Sequence, residues 1–139
     1  MKQTELTVIW SRLRAVLSMC ACGIGAFLGG TDALLRALLI AMGIDMMTGL
    51  ICAFREKTLS SETGFKGIGK KVLILLIVGL AHMMDESIGG STLRSAVLGF
   101  YISNEGLSVL ENAARLGLPV PGKLRDALSQ LHGKGEQDG

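Results

Sequence analysis

A chain of 139 residues has room for one small domain, and its 49% hydrophobic content, gathered into long blocks, exceeds what an ordinary soluble core of that size needs. Membrane spans are the expectation. A net charge of +2 gives no nucleic-acid footprint. Cys20, Cys22 and Cys52 all sit inside apolar stretches, which argues for small packing residues and against a disulfide framework or metal site.

In chain order, four helical segments are expected, near 8–30, 33–54, 72–88 and 92–117, together forming an all-α membrane-embedded domain over 1–127. The first, around AVLSMCACGIGAFLGG, is long enough to cross ~30 Å of hydrocarbon at ~1.5 Å per residue. Its basic front and small residues resemble a cleaved signal peptide. A second apolar block follows at once, however, so an uncleaved hairpin is the better reading. That block, ALLRALLIAMGIDMMTGLICAF, is separated from the first only by Thr31 and Asp32, and a tight antiparallel hairpin is expected. Asp32 and Arg36, four apart, can pair near the membrane surface.

Residues 55–71 read as a polar loop carrying Arg55, Lys57, Lys66, Lys70 and Lys71. VLILLIVGLAHMM, 72–84, is strongly apolar but short for a full span, so it must run on towards Ile88. IGGS is a turn. The fourth helix follows, stopped by Pro119 and Pro121. KLRDALSQL suggests a short amphipathic helix, and 128–139 a polar disordered tail. With four crossings, the basic N-terminus, the 55–71 loop and the basic tail share one side, which the positive-inside rule makes cytoplasmic. Three crossings would send the basic tail outside; four are favoured.

Several polar groups lie within these apolar helices. Asp45 falls mid-helix, where an ionised carboxylate costs ~2.5–3.5 kcal/mol on insertion scales. Ala41, Asp45, Thr48, Gly49 and Cys52 recur at three- and four-residue spacing and form one small, polar face. Such a face can pack helices or line a pore, and Asp45 can equally be structural glue within one subunit. Gly25 and Gly29 make a small-xxx-small pattern that would let two helices approach closely.

On the fourth helix, Tyr101, Asn104, Ser108, Glu111 and Arg115 follow a helical stripe, with Glu105 and Asn112 beside it. Glu111 and Arg115 can pair at i,i+4. His82 and Glu86 share that spacing, but no further ligands converge, so a hydrated helix end is preferred to a metal site. GFKGIGK lacks phosphate-loop spacing and context. No nucleophile–base constellation or catalytic carboxylate pair emerges, and neither an enzyme nor a cofactor is implied.

Taken together and in order, DMMTGLICAF, SSETGFKGIGKK and FYISNEGLSVLENAARLGLPVPGKL resemble the phage-lysis and toxin-secretion holin family over about residues 25–127. The match carries Asp45, Thr48 and Gly49; Ser60, Ser61, Gly64, Gly67 and Lys70; Asp85; and Asn104, Glu105, Glu111, Asn112, Pro119 and Pro121. The resemblance implies a small multi-pass protein of the bacterial cytoplasmic membrane. It would accumulate, form homo-oligomers and open lesions that release a cytoplasmic endolysin, or a toxin. The lipid bilayer and further copies would then be its direct partners, an antiholin a possible one, and endolysin a functional partner without direct binding. Two alternatives stay open at this level: a small transporter or channel with Asp45 as coupling residue, and a non-conducting antiholin or adaptor.

Overall fold

The computed structural model describes residues 2–127 and residue 130, so the expected tail at 128–139 lies, apart from residue 130, outside them. Among the described residues there is no strand. Four long helices run α1 (Lys2–Phe27), α2 (Ala33–Arg55), α3 (Ser61–Ile88) and α4 (Thr92–Arg115), and a further helical segment covers 122–127. By length and composition α1, α2 and α3 are each apolar enough to cross a membrane, whereas α4 does not reach that mark.

The helix ends follow local chemistry. Asp32 caps α2 by accepting from the Leu35 N–H at 2.9 Å, and Ser60 caps α3 by accepting from the Thr63 N–H at 3.1 Å. At the other end of α1, the Gly30 N–H reaches the Gly25 carbonyl and the Gly29 N–H the Ala26 carbonyl, the paired bonds of a Schellman motif. Gly29 and Gly30 carry φ of +78° and +88°, so α1 stops at Phe27, three residues short of the expected 30. The same pairing closes α2, with Thr58 bonded to Ala53 and Lys57 to Phe54, and there a lysine holds a positive φ of 56°.

The largest departure from expectation is α3. It begins at Ser61, so most of the stretch read as a loop is helix, and Lys66, Lys70 and Lys71 are helical residues. The Ser60 cap and a Glu62–Lys66 pair at 2.8 Å support this start against the weak helix propensity of Gly64, Gly67 and Gly69. The extension also removes the length shortfall of the third span, since 28 residues cover about 42 Å at ~1.5 Å per residue.

α4 packs along both α2 and α3. It runs parallel to α2: Arg94 meets Asp32 at one end, and Arg55 donates to the Leu116 carbonyl at the other. The apolar core, formed by Leu28, Leu35, Leu38, Met42, Ile74, Val78 and Leu98, occupies the half of the bundle nearer the Asp32–Arg94 end. The close α1–α2 packing expected from their short linker is not made. Residues 3–24 of α1 are exposed, and the helix touches the bundle through its last turn, where the Phe27 ring sits over Gly79. A Cβ at Gly79 would lie 2.0 Å from that ring, so a side chain there would displace it.

Candidate functional site

The outer faces of the bundle are apolar, and its interior holds polar groups beside the apolar core. Ile40, Met47, Leu50, Leu73, Leu76 and Leu80 are exposed, whereas Asp85, Arg94, Ser103, Glu105 and Asn112 are buried. In water this arrangement would expose a large apolar surface; in lipid the same surface is solvated, and the polar groups must find partners inside. They do so at three levels along α4.

At the first level Arg94 joins all four helices. Its guanidinium donates to the Leu28 carbonyl at 2.6 Å, the Gly30 carbonyl at 3.2 Å and the Asp32 carboxylate at 2.7 Å. The Asp85 carboxylate, on α3, accepts from the backbone N–H groups of Leu93 and Arg94 at 3.0 and 2.8 Å. Asp85 therefore supplies the cap that Ser91 does not make, so this buried acid closes one helix from another. Arg94 holds the Asp32 carboxyl below the ordinary carboxylate range, chiefly through their hydrogen bond, with the Leu35 N–H next in weight.

The second level is an ion cluster midway along the helices. Lys71 Nζ donates to Asp45 Oδ2 at 2.9 Å and, in a still shorter contact, to Glu105 Oε2. Asn112 Nδ2 donates to Thr48 Oγ1 at 3.1 Å and Asp45 Oδ1 at 3.3 Å, and the Thr48 hydroxyl donates to the Ile44 carbonyl. Cys52, buried, donates its thiol to the Asn112 carbonyl. α2, α3 and α4 thus each contribute one charge. At the third level, towards the 55–61 turn, Arg115 pairs with Glu56 on the surface.

Below Lys71, α3 diverges from its neighbours; every residue from 57 to 70 is exposed. A groove of about 350 Å³ opens there between α2 and α3, with Gly49, Gly64 and Gly67 in its walls and Asp45 and Lys71 at its inner end. The cluster is therefore sealed on the core side and accessible from the 55–61 end.

A family profile described as the bacteriophage holin family matches residues 22–133. The chain belongs to that holin family. It is 44% identical over 108 residues to an uncharacterized 14.9 kDa protein of the nagH 3′ region of Clostridium perfringens, covering 76% of this chain and 82% of that one. It is 34% identical over 113 residues to a probable holin of Bacillus phage phi105, covering 81% and 84%. It is 36% identical over 113 residues to the uncharacterized protein YqxH of Bacillus subtilis, covering 80% of each chain. No solved structure matches.

Within this holin-family chain the residues singled out from sequence separate into two groups. Asp45, Thr48, Glu105 and Asn112 come together at the cluster, and Gly49 lies against Asn112, 3.6 Å from where its Cβ would stand. The α4 stripe is rotated from its expected setting: its buried line is Arg94, Leu98, Glu105 and Asn112, with Asn104 and Ser108 half-buried and Glu111 exposed. Tertiary partners caused the shift, because Lys71 and Asp45 draw Glu105 and Asn112 inward. For the same reason two expected local pairs give way, Asp32 taking Arg94 instead of Arg36, and Arg115 taking Glu56 instead of Glu111.

Gly25 has open space around its Cα and Gly29 lies in the turn after α1, so the pair does not form a helix-contact motif within this chain. Gly29 serves a different purpose: a Cβ there would come within 2.7 Å of Arg94 Nε and His82 Nδ1. Arg55 and Lys57 remain at the α2–α3 turn, Lys66 and Lys70 extend from α3, and Lys71 turns inward. Sequence reasoning missed the roles of Lys71 and Arg94. A cation in the first turn of a helix opposes the helix dipole, so Arg94 did carry a signal that it needs acidic partners.

Proposed function

We propose that this holin-family chain accumulates in the cytoplasmic membrane of its bacterial host, self-associates, and opens lesions that release endolysin, or a toxin, towards the cell wall. The observation that carries the reading is the Asp45–Lys71–Glu105–Asn112 cluster, enclosed by helices whose outer faces are apolar. In a lone bundle these polar groups hydrogen-bond one another away from lipid, with one carboxylate charge in excess. In a ring of bundles the same groups can face water, and the two arrangements compete. Burying an ion cluster gains little over apolar packing, which keeps that competition close.

Four crossings fit this scheme. α4 accompanies α2 from the Asp32–Arg94 contact to the Arg55–Leu116 contact, so a membrane thick enough for α2 also contains α4, whose Arg94 and Glu105 are paired with Asp32 and Lys71. The basic 55–61 end then faces the cytoplasm, with both termini on that side, and the Arg94 clasp faces outward.

Expression of the chain alone in a bacterial host tests the reading. Abrupt growth arrest with loss of membrane potential is expected. Absence of both at full membrane accumulation overturns it and favours an antiholin or adaptor. Replacing the cluster by Asp45→Leu, Lys71→Leu and Glu105→Leu together is expected to keep or raise stability, by up to about 1–4 kcal/mol, while abolishing lysis. Unchanged lysis timing in that variant would show that the polar column does not line the lesion.

A further inference from the structure

We propose that the α2–α3 groove receives α1 of a second copy, and that Arg14 of that copy completes the ion cluster. The inference rests on the self-association proposed above and assigns it a site. It starts from a charge imbalance. Facing the cluster are Asp45 from α2, Lys71 from α3 and Glu105 from α4, one cation against two carboxylates; Arg115, which also lines the groove, is already paired with Glu56. An uncompensated charge among membrane helices is costly, and one further cation would balance the set.

α1 carries that cation at the right depth. Its span contains Arg12 and Arg14, and among the described residues Arg14 forms no ion pair and is exposed. α1 ends at Phe27 and α2 begins after Asp32, at the same Arg94 clasp. Arg14 stands thirteen positions before Phe27 and Asp45 thirteen positions after Asp32. Both therefore lie about 20 Å from the clasp at ~1.5 Å per residue.

Among the described residues the cluster opens into the groove, which Asp45 and Lys71 line. The Lys71 and Asp45 side chains retain 15% and 21% of their exposure on that side, whereas Glu105 retains 2%. Gly64 and Gly67 have open space where a Cβ would stand, so a helix can come close to α3 there. The chain's own α1 is held elsewhere. Phe27 is seated on Gly79, roughly a quarter turn around α3 from the groove line of Gly67 and Lys71, and Arg94 holds the carbonyls of Leu28 and Gly30.

The test is disulfide capture in membranes of cells expressing the full chain. In a background with Cys20, Cys22 and Cys52 replaced by serine, one tagged copy carries Ser11→Cys and a second, differently tagged copy carries Gly67→Cys; Ser11 and Gly67 are both exposed in the single chain. Oxidation is expected to join the two tags. Arg14→Gln is expected to lower the yield about tenfold at equal membrane accumulation, and Arg14→Lys to restore most of it. Capture only when both cysteines are in one chain would show that the helix's own bundle takes it, and overturns the proposal. No capture in either format, or a yield indifferent to Arg14→Gln, overturns it too. Growth arrest by the wild-type chain without capture would sink this docking alone, whereas capture without growth arrest would sink the lytic reading and leave the docking standing.

Discussion

Lys71 is the residue on which the interior depends most. It is the single cation between Asp45 and Glu105, and removing it leaves carboxylates without their partner in a site where Glu105 is almost wholly enclosed. Lys71→Met is therefore expected to destabilise the bundle by about 3–5 kcal/mol, read from denaturant titration in micelles. Loss below ~1 kcal/mol would mean that water already reaches the cluster freely. Asp32 makes a pH-dependent contribution. Its carboxyl is held below the ordinary value of 3.8, so the stability it supplies is complete above that value and is lost as pH falls through the lower, folded one. Thermal melts in micelles should fall off at that acid limb, and Asp32→Asn should flatten it while lowering stability at neutral pH.

Among the elements, α4 is the least apolar and the most enclosed, whereas α2 is the most apolar and α1 the least enclosed. A helix with buried charges at 94 and 105 cannot face lipid on every side, so it is placed where Asp32 and Lys71 neutralise them. The ends of the helices obey stricter local rules. Lys57 closes α2 in a left-handed conformation that a side chain resists, so Lys57→Gly is expected to raise stability by about 1 kcal/mol. Gly29→Ala should do the opposite by a larger margin, because it combines a positive φ with a collision against Arg94 and His82. Paired melting curves of the two variants check the signs. The start of α3 was hidden in the sequence because Gly64, Gly67 and Gly69 signal a loop, while the Ser60 cap that marks it involves only a few residues.

For the whole molecule, the bundle is clasped at one end by Arg94 and open at the other below Lys71. The four-crossing arrangement predicts opposite sidedness for these ends. With native cysteines removed, a cysteine at Thr31 should react with an impermeant maleimide added to intact spheroplasts, and one at Thr58 only after permeabilisation. The reverse pattern would invert the topology, and a C-terminal tag reached from outside would leave three crossings.

The sequence alone determined that the chain is an apolar multi-helix protein, that its helices carry polar residues at Asp45 and Thr48 and at Asn104, Glu105, Ser108, Glu111 and Asn112, and which family it resembles. Hydropathy and spacing carry that information because they depend on neighbours along one helix. Only the tertiary structure decided which partners those groups take. Lys71 left its expected loop to join two carboxylates, Arg94 became the clasp of all four helices, and the polar line of α4 turned to meet them. Such pairings bring together residues as far as 67 positions apart, between Asp45 and Asn112, and no periodicity along a single helix records them.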